Sequence, residues 1–255
     1  MKVKLLLLAV AICSAIQLHA QDRSPFRSGY LRLGINKLGG DLDNALTPKE
    51  NIFDGKFGAS TGYVLEFGHI YYFKDRANTN GINYGLDWTI LSLNYNKLDK
   101  WENYGVASGA SNVYVDGAAI GVAASTKLGP TISFNPLEKL VIDVRFQIAP
   151  TFRVFDLEYS EEEEETTTRH FSFANYQQEE VDDNFDAESI KNRVAFGLCT
   201  SFGITVRRKA VGLSLDYLSG KVNSNYEAYD AKAGQTNGKE KIKANTLQLK
   251  LSLTL

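Results

Sequence analysis

Few side chains in this sequence can do acid–base or metal chemistry, and they are unevenly placed. Histidine occurs at His19, His69 and His170, and cysteine at Cys13 and Cys199. Carboxylates crowd one stretch: from Asp156 to Ile190 there are thirteen, including the run Glu161 to Glu165, against the single base Arg169. Two chemistries follow from that crowding. Carboxylate oxygens take Ca²⁺ in flexible geometry, although no Asp-x-Asp-x-Asp-Gly spacing is present. His170 also stands two residues from Ser172 among many acids, so a Ser–His–acid site can be written on paper. Triads are set by geometry and not by adjacency, and so acidic a segment places acids near any histidine. The plain alternative is a solvated loop held extended by its own repulsion.

Other chemical signatures are missing. Gly39-Gly40 and the stretch Gly105-Val106-Ala107-Ser108-Gly109 read as loop glycines, since no strand-to-helix context makes them a phosphate cradle. The cysteines and histidines do not fall at zinc spacings. The sequence therefore yields no catalytic residue, no cofactor-binding residue and no cofactor. Metal ligands stay open, with the acidic stretch the place to look.

The elements that must position these groups follow an N-terminal segment of different character. Residues 1–20 read as a cleavable signal peptide: Lys2 and Lys4, then a mostly apolar run from Leu5 to Ile16, then Gln17-Leu18-His19-Ala20. The apolar run falls short of the ~20 residues that a membrane helix takes. The remainder, 21–255, carries 26 Lys+Arg and 30 Asp+Glu and is expected to be one domain. Cys199 is its only cysteine, which excludes an intramolecular disulfide. No concentrated basic face points to nucleic acid.

After Ala20 the apolar residues recur at every second position, the period of a strand. Leu247, Leu249, Leu251, Leu253 and Leu255 alternate with Thr246, Gln248, Lys250, Ser252 and Thr254. Leu140, Ile142, Val144, Phe146 and Ile148 alternate with Asp143, Arg145 and Gln147 in the same way. Eight such segments are predicted, at roughly 29–37, 59–73, 82–95, 113–134, 139–156, 193–207, 210–218 and 244–255. The links between them alternate long and short, and the short ones carry turn residues such as Asn80-Gly81, Asn135-Pro136 and Arg208-Lys209. Tight turns on one side and long loops on the other are the pattern of a transmembrane barrel.

The polar faces favour the membrane barrel over a soluble one, which would turn its apolar side inward. Arg32, Glu66, Asp87, Lys127, Asp143, Arg145, Arg193, Asp216 and Lys250 sit mid-strand beside small residues, as in the row Gly117, Ala119, Gly121, Ala123 and Ser125. Opposite charges inside a narrow barrel can offset each other's desolvation, so a plugged interior is expected. The lipid faces are expected to carry an aromatic belt of Tyr30, Tyr63, Tyr71, Phe73, Tyr84, Trp88, Phe134, Phe152 and Phe155. Pro130 and Pro150 are expected to mark strand ends or bulges, and His69 to lie near the headgroups. On these faces Leu249→Arg should cost ~2–4 kcal/mol and Gln248→Arg much less.

The boundary Ala20-Gln21, the run Lys127-Leu128-Gly129-Pro130 leading through Phe134-Asn135-Pro136, and the last strand to Leu255 resemble the small outer-membrane β-barrel family seen widely in Bacteroidota. More distantly the chain resembles eight-stranded OmpA/OmpX-type barrels. Leu255 stands where such barrels commonly end in Phe. The resemblance implies a cell outer membrane location and contact with outer-membrane lipid and lipopolysaccharide and with the barrel assembly machinery. It implies no single activity. The expected fold is all-β, an antiparallel up-and-down transmembrane β-barrel of eight strands with long extracellular loops and short periplasmic turns. The expected function is non-enzymatic: a plugged barrel presenting its loops, above all the acidic loop 157–192, for surface interaction or divalent-cation binding. The alternative is an outer-membrane enzyme of the lipid A-modifying type with its site at the extracellular rim.

Overall fold

The computed structural model describes residues 24–74, 81–110, 112–163, 166–173, 186–230 and 234–255; the segment read as a signal peptide lies outside them. Among the described residues eleven strands form one sheet: β1 Gly29–Leu38, β2 Gly62–Tyr72, β3 Ile82–Lys97, β4 Asn112–Leu137, β5 Leu140–Glu163, β6 Thr166–Ser172, β7 Asp186–Ile190, β8 Val194–Arg208, β9 Val211–Asp230, β10 Gly234–Lys243 and β11 Thr246–Thr254. A ring runs β1-β2-β3-β4-β5-β8-β9-β11 with every neighbour antiparallel. It closes where β11 returns to β1, from Tyr30 opposite Thr254 to Leu38 opposite Thr246.

Strict alternation gives the ring two unlike faces. Leu33, Leu198, Leu213 and Leu249 point outward and stay 48–62% exposed, along with most other large apolar side chains of the ring. Arg32, Glu66, Asp87, Lys127, Asp143, Arg145, Asp216 and Lys250 point inward and are at most 1% exposed. Water would strongly disfavour so much bare apolar surface. Hydrocarbon suits it, and ring closure leaves no strand edge unpaired there. The chain is therefore a transmembrane β-barrel of the type found in outer membranes.

Several placements differ from the sequence reading, and each has a local reason. Tyr30 and Phe155 are 3% and 1% exposed instead of lipid-facing, because each shares its strand's inward parity, with Arg32 and Arg153 respectively. Arg193 precedes β8 at the rim, where it pairs with Asp156 at 3.4 Å, and is not an interior residue. Pro130 and Pro150 lie inside β4 and β5 with the same pairing offset on both sides, so neither ends a strand nor bulges it. In the β4–β5 pairing the irregularities fall elsewhere, between Phe134 and Leu137 and between Asp116 and Ile120. At the second, Gly117 and Ala119 take φ of 77° and 46°, which breaks the expected small-residue row into a kink. The tight turns use left-handed Lys139 and Lys209, φ 63° and 57°, and the Lys209 amide donates to the Lys139 carbonyl at 2.9 Å.

The larger difference is above the ring. A tilted bilayer crossing takes ~9–11 residues, yet β4, β5 and β9 have 26, 24 and 20. Their outer ends continue as a projection. β6 pairs with the end of β5, β7 joins β6 in parallel and the end of β9 antiparallel, and β10 folds back along β9. Within the described residues the acidic stretch is thus mostly strand, not a solvated loop. Leu157 and Tyr159 on β5, and Phe171 with Phe173 just beyond β6, supply the apolar alternation that the acids obscured.

Depth in the bilayer should set the cost of a charge on the outer face. Leu249→Arg, mid-strand in β11, should destabilise by ~2–4 kcal/mol, and Leu247→Arg at the rim by ~0–1 kcal/mol, read by urea titration in liposomes. Equal costs would contradict the assigned depth. Gln248→Arg is not the mild change read from the sequence. Its amide oxygen accepts from Lys250 at 2.9 Å and Lys127 at 3.3 Å, so a third cation would land between two.

Candidate functional site

Two layers fill the molecule from the periplasmic side outward. The lower is the polar interior, where each charged group is delivered by the inward parity of a different strand. Glu66 on β2 is the hub. Its carboxylate accepts from Lys127 at 2.5 Å and Lys250 at 2.6 Å, with Arg32 at 3.8 Å. Asp216 pairs with Arg145 at 2.5 Å and also meets Lys250. Asp87 takes the Tyr30 hydroxyl at 2.6 Å, with Arg32 at 3.6 Å. Asp143 accepts from Arg207 at 2.8 Å and from Ser133 at 2.5 Å. Charges paired this closely fill the lumen and bridge strands across it.

The upper layer is an apolar cap, which the sequence reading missed. Leu38, Phe57, Leu98, Phe155, Val222 and Ile242 converge on it from the strands and the links between them. Two short helices complete it: α1 Pro48–Phe53 between β1 and β2, and α2 Trp101–Ser108 between β3 and β4. α1 starts at a capping box, with Thr47 accepting from the Glu50 amide and Glu50 accepting from the Thr47 amide. That Thr-Pro-Lys-Glu pattern was the available sequence signal. Trp101 is fully buried, donates from Nε1 to the Phe57 carbonyl at 3.0 Å and stacks at 4° on Phe171. Phe57, Phe155 and Phe173 stack in series, with centroids 5.0 and 5.1 Å apart. Gly105, read as a loop glycine, lies inside α2, where a Cβ would come within 2.3 Å of Val113.

The candidate catalytic and metal groups meet other fates. His170 and His69 stand at opposite ends of the molecule. His69 is level with Gly29 near the periplasmic rim, its ring 4.6 Å from that of Tyr71. His170 is 9% exposed, and its Nδ1 meets Ser160 Oγ at 2.9 Å, with Glu158 3.9 Å from Nε2. Ser172 faces Glu158 across β5 and β6 instead. These residues are cross-strand neighbours on a sheet face. Burial holds the His170 pKa below its ordinary value, against the pull of Glu158, and keeps the ring neutral.

The acids of β5 and β7 act as fasteners. Glu161 accepts from Tyr159 Oη at 2.6 Å and pairs with Arg169 at 3.5 Å. Glu188 accepts from the Lys49 amide at 3.0 Å and from Thr47 Oγ at 3.2 Å, tying β7 to the start of α1. Among the described residues no group of three or more His, Cys, Asp or Glu side chains is arranged to hold a metal ion. Glu179, Glu180, Asp182 and Asp183 lie outside the described residues.

No family model matches the chain, and no curated protein matches it. Among solved structures it is similar to a major outer membrane protein from Thermus thermophilus, at 11% identity, covering 90% of this chain and 100% of that one, TM-score 0.44. It is similar to Ail, the attachment invasion locus protein of Yersinia pestis, at 10% identity, covering 90% and 99%, TM-score 0.38. The corresponding values for OprG of Pseudomonas aeruginosa are 10% identity, 90% and 96%, and 0.34.

Two outcomes follow from this geometry. Glu66→Gln leaves Lys127 and Lys250 facing each other and should cost ~3–5 kcal/mol, seen as a lower urea midpoint; an unchanged midpoint would remove Glu66 as the hub. A buried neutral histidine makes stability depend on acid. The unfolded chain takes up a proton near 6.5, the folded one only at lower pH, so protection of the projection should fall as pH drops below that value. Hydrogen exchange across β5 and β6 should show the loss in the parent and not in His170→Gln.

Proposed function

We propose that this chain is a sealed, non-enzymatic surface protein of the outer membrane, which holds a rigid acidic sheet outside the cell for contact with cationic partners. The observation that carries this is the projection itself: three barrel strands continue past the bilayer and are braced by their own apolar core. On its outer face Asp116 stands directly opposite Glu158, with Glu162 beyond. Facing like charges repel, and a cationic partner removes that cost. Ion pairs across the lumen and the aromatic cap above them support the reading of the barrel as a closed anchor.

The test uses the protein in neutral-lipid nanodiscs with a decalysine peptide as probe. Binding should weaken with salt and fall about tenfold in the combined variant Asp116→Asn, Glu158→Gln, Glu162→Gln. Undiminished binding would remove the acidic face from the function, and steady ion conductance of the parent in planar bilayers would refute the seal.

A further inference from the structure

The opposite flank of the projection is basic, although the chain as a whole carries an excess of acid. On the outer face of β9, Tyr217 is followed two and four residues on by Ser219 and Lys221. On β10 the alternation puts Lys239, Lys241 and Lys243 on one exposed face, with Ile242 turned into the cap. Lys221 and Lys243 stand directly opposite each other in the β9–β10 register. Lys221, Lys239 and Lys241 have no carboxylate partner among the described residues. Facing ammonium groups repel; Asp54 meets Lys243 at 2.7 Å, which leaves Lys221 and its β10 neighbours Lys239 and Lys241 as an excess of positive charge that favours a further anion.

The level of the row in the membrane identifies the anion. Across β1, β11 and β9, Lys37, Leu247 and Tyr217 are aligned in register. Leu247 and Tyr217 top the lipid-facing columns that continue down through Leu249 and Leu215. A cleft of about 370 Å³ opens at this height, lined by Leu247 and Tyr217, by Lys37, Lys56 and Lys243, and by Asp54; Lys221 stands beside it, opposite Lys243. Asp54 holds Lys243 at 2.7 Å, Asp43 holds Lys56 at 2.6 Å, and Asp41 lies 3.9 Å from Lys37. Each ammonium carries three donors, so these contacts position the lysines and leave further N–H groups for a second acceptor. An apolar lining continuous with the acyl region and cationic donors in the same cleft match one kind of molecule: an amphiphile with a phosphorylated headgroup.

We propose that this rim cleft binds a phosphate-bearing glycolipid of the outer leaflet, its acyl chains lying along Leu247 and Tyr217 and its phosphate held by Lys37, Lys221 and Lys243. The site rests on the lipid-facing reading of the barrel and is separate from the acidic face. The experiment refolds the protein in a neutral maltoside detergent and titrates lipid A, counting bound lipid by native mass spectrometry. One lipid A should stay bound, and its affinity should fall about tenfold or more in Lys37→Gln, Lys221→Gln, Lys243→Gln. Lys74→Gln with Lys139→Gln, at the periplasmic turns, should bind as the parent does. Lys221→Gln alone, the least demanding change, should give a smaller loss in the same direction. Heat-modifiable gel migration reports the barrel in every sample. Normal migration with unaltered lipid A binding in the triple variant overturns the site and leaves the membrane barrel standing. Displacement of lipid A by inorganic phosphate, or equal retention of phosphatidylcholine, overturns it as well.

Discussion

A bilayer interior offers no water to an unpaired amide or carbonyl, and that constraint organises the rest of this molecule. It demands a ring, and the ring is completed only where β11 returns to β1 over nine matched residues. Once the ring exists, alternation sorts side chains without further instruction. One parity meets lipid; the other meets a lumen too narrow for bulk water. Most charged residues there then turn to one another, while Arg153 donates to the Ala244 carbonyl and to Thr246. This is why carboxylates and cations from β1, β2, β3, β4, β5, β8, β9 and β11 interlock across the interior. Pairs of this kind are weak evidence for stability when compared with apolar packing, but removing one partner is expensive. Their effect here is to hold the register and fill the space.

The change of character above the rim has the same origin seen from the other side. Past the headgroups the outer face meets water, so it turns polar, and the inward face is free to turn apolar. Phe155 shows the switch within one strand: it continues the inward column of Arg145 and Arg153, but lies at the height of the cap, where Phe57 and Phe173 stack on it. The molecule is thus a membrane barrel with an inverted upper storey, apolar inside and charged outside. β6 and β7 continue the wall where β8 stops short; α1 packs on β7 and β10 and α2 on β4, and Glu188 fastens α1 to β7.

Charge is distributed by flank as well as by height. Acids gather on the outer face where β4 and β5 protrude, and lysines on β9 and β10 just above the apolar belt. Facing like charges occur on both flanks, at Asp116 with Glu158 and at Lys221 with Lys243. A folded protein alone gains nothing from either arrangement. At Lys243 the fold supplies one counter-charge, Asp54; the excess left on each flank is what the proposed contacts, one in the medium and one in the membrane, rest on.

By itself the sequence determined the strands of the ring, the two faces and most of the interior charges, because period-two alternation is a local property that survives any tertiary arrangement. Leu247 to Leu255 and Leu140 to Ile148 could be read off directly. Even Tyr30 and Phe155 obeyed that rule; it was their aromatic character, not their parity, that pointed the wrong way. What only the tertiary structure decided is everything that depends on partners distant in the chain. Glu158 to Glu163 look like a solvated run until β6 lies against them, and Trp101 looks like a loop residue until Phe57 and Phe171 enclose it. Ser160, not Ser172, meets His170 because strand register, not sequence distance, sets which side chains face each other.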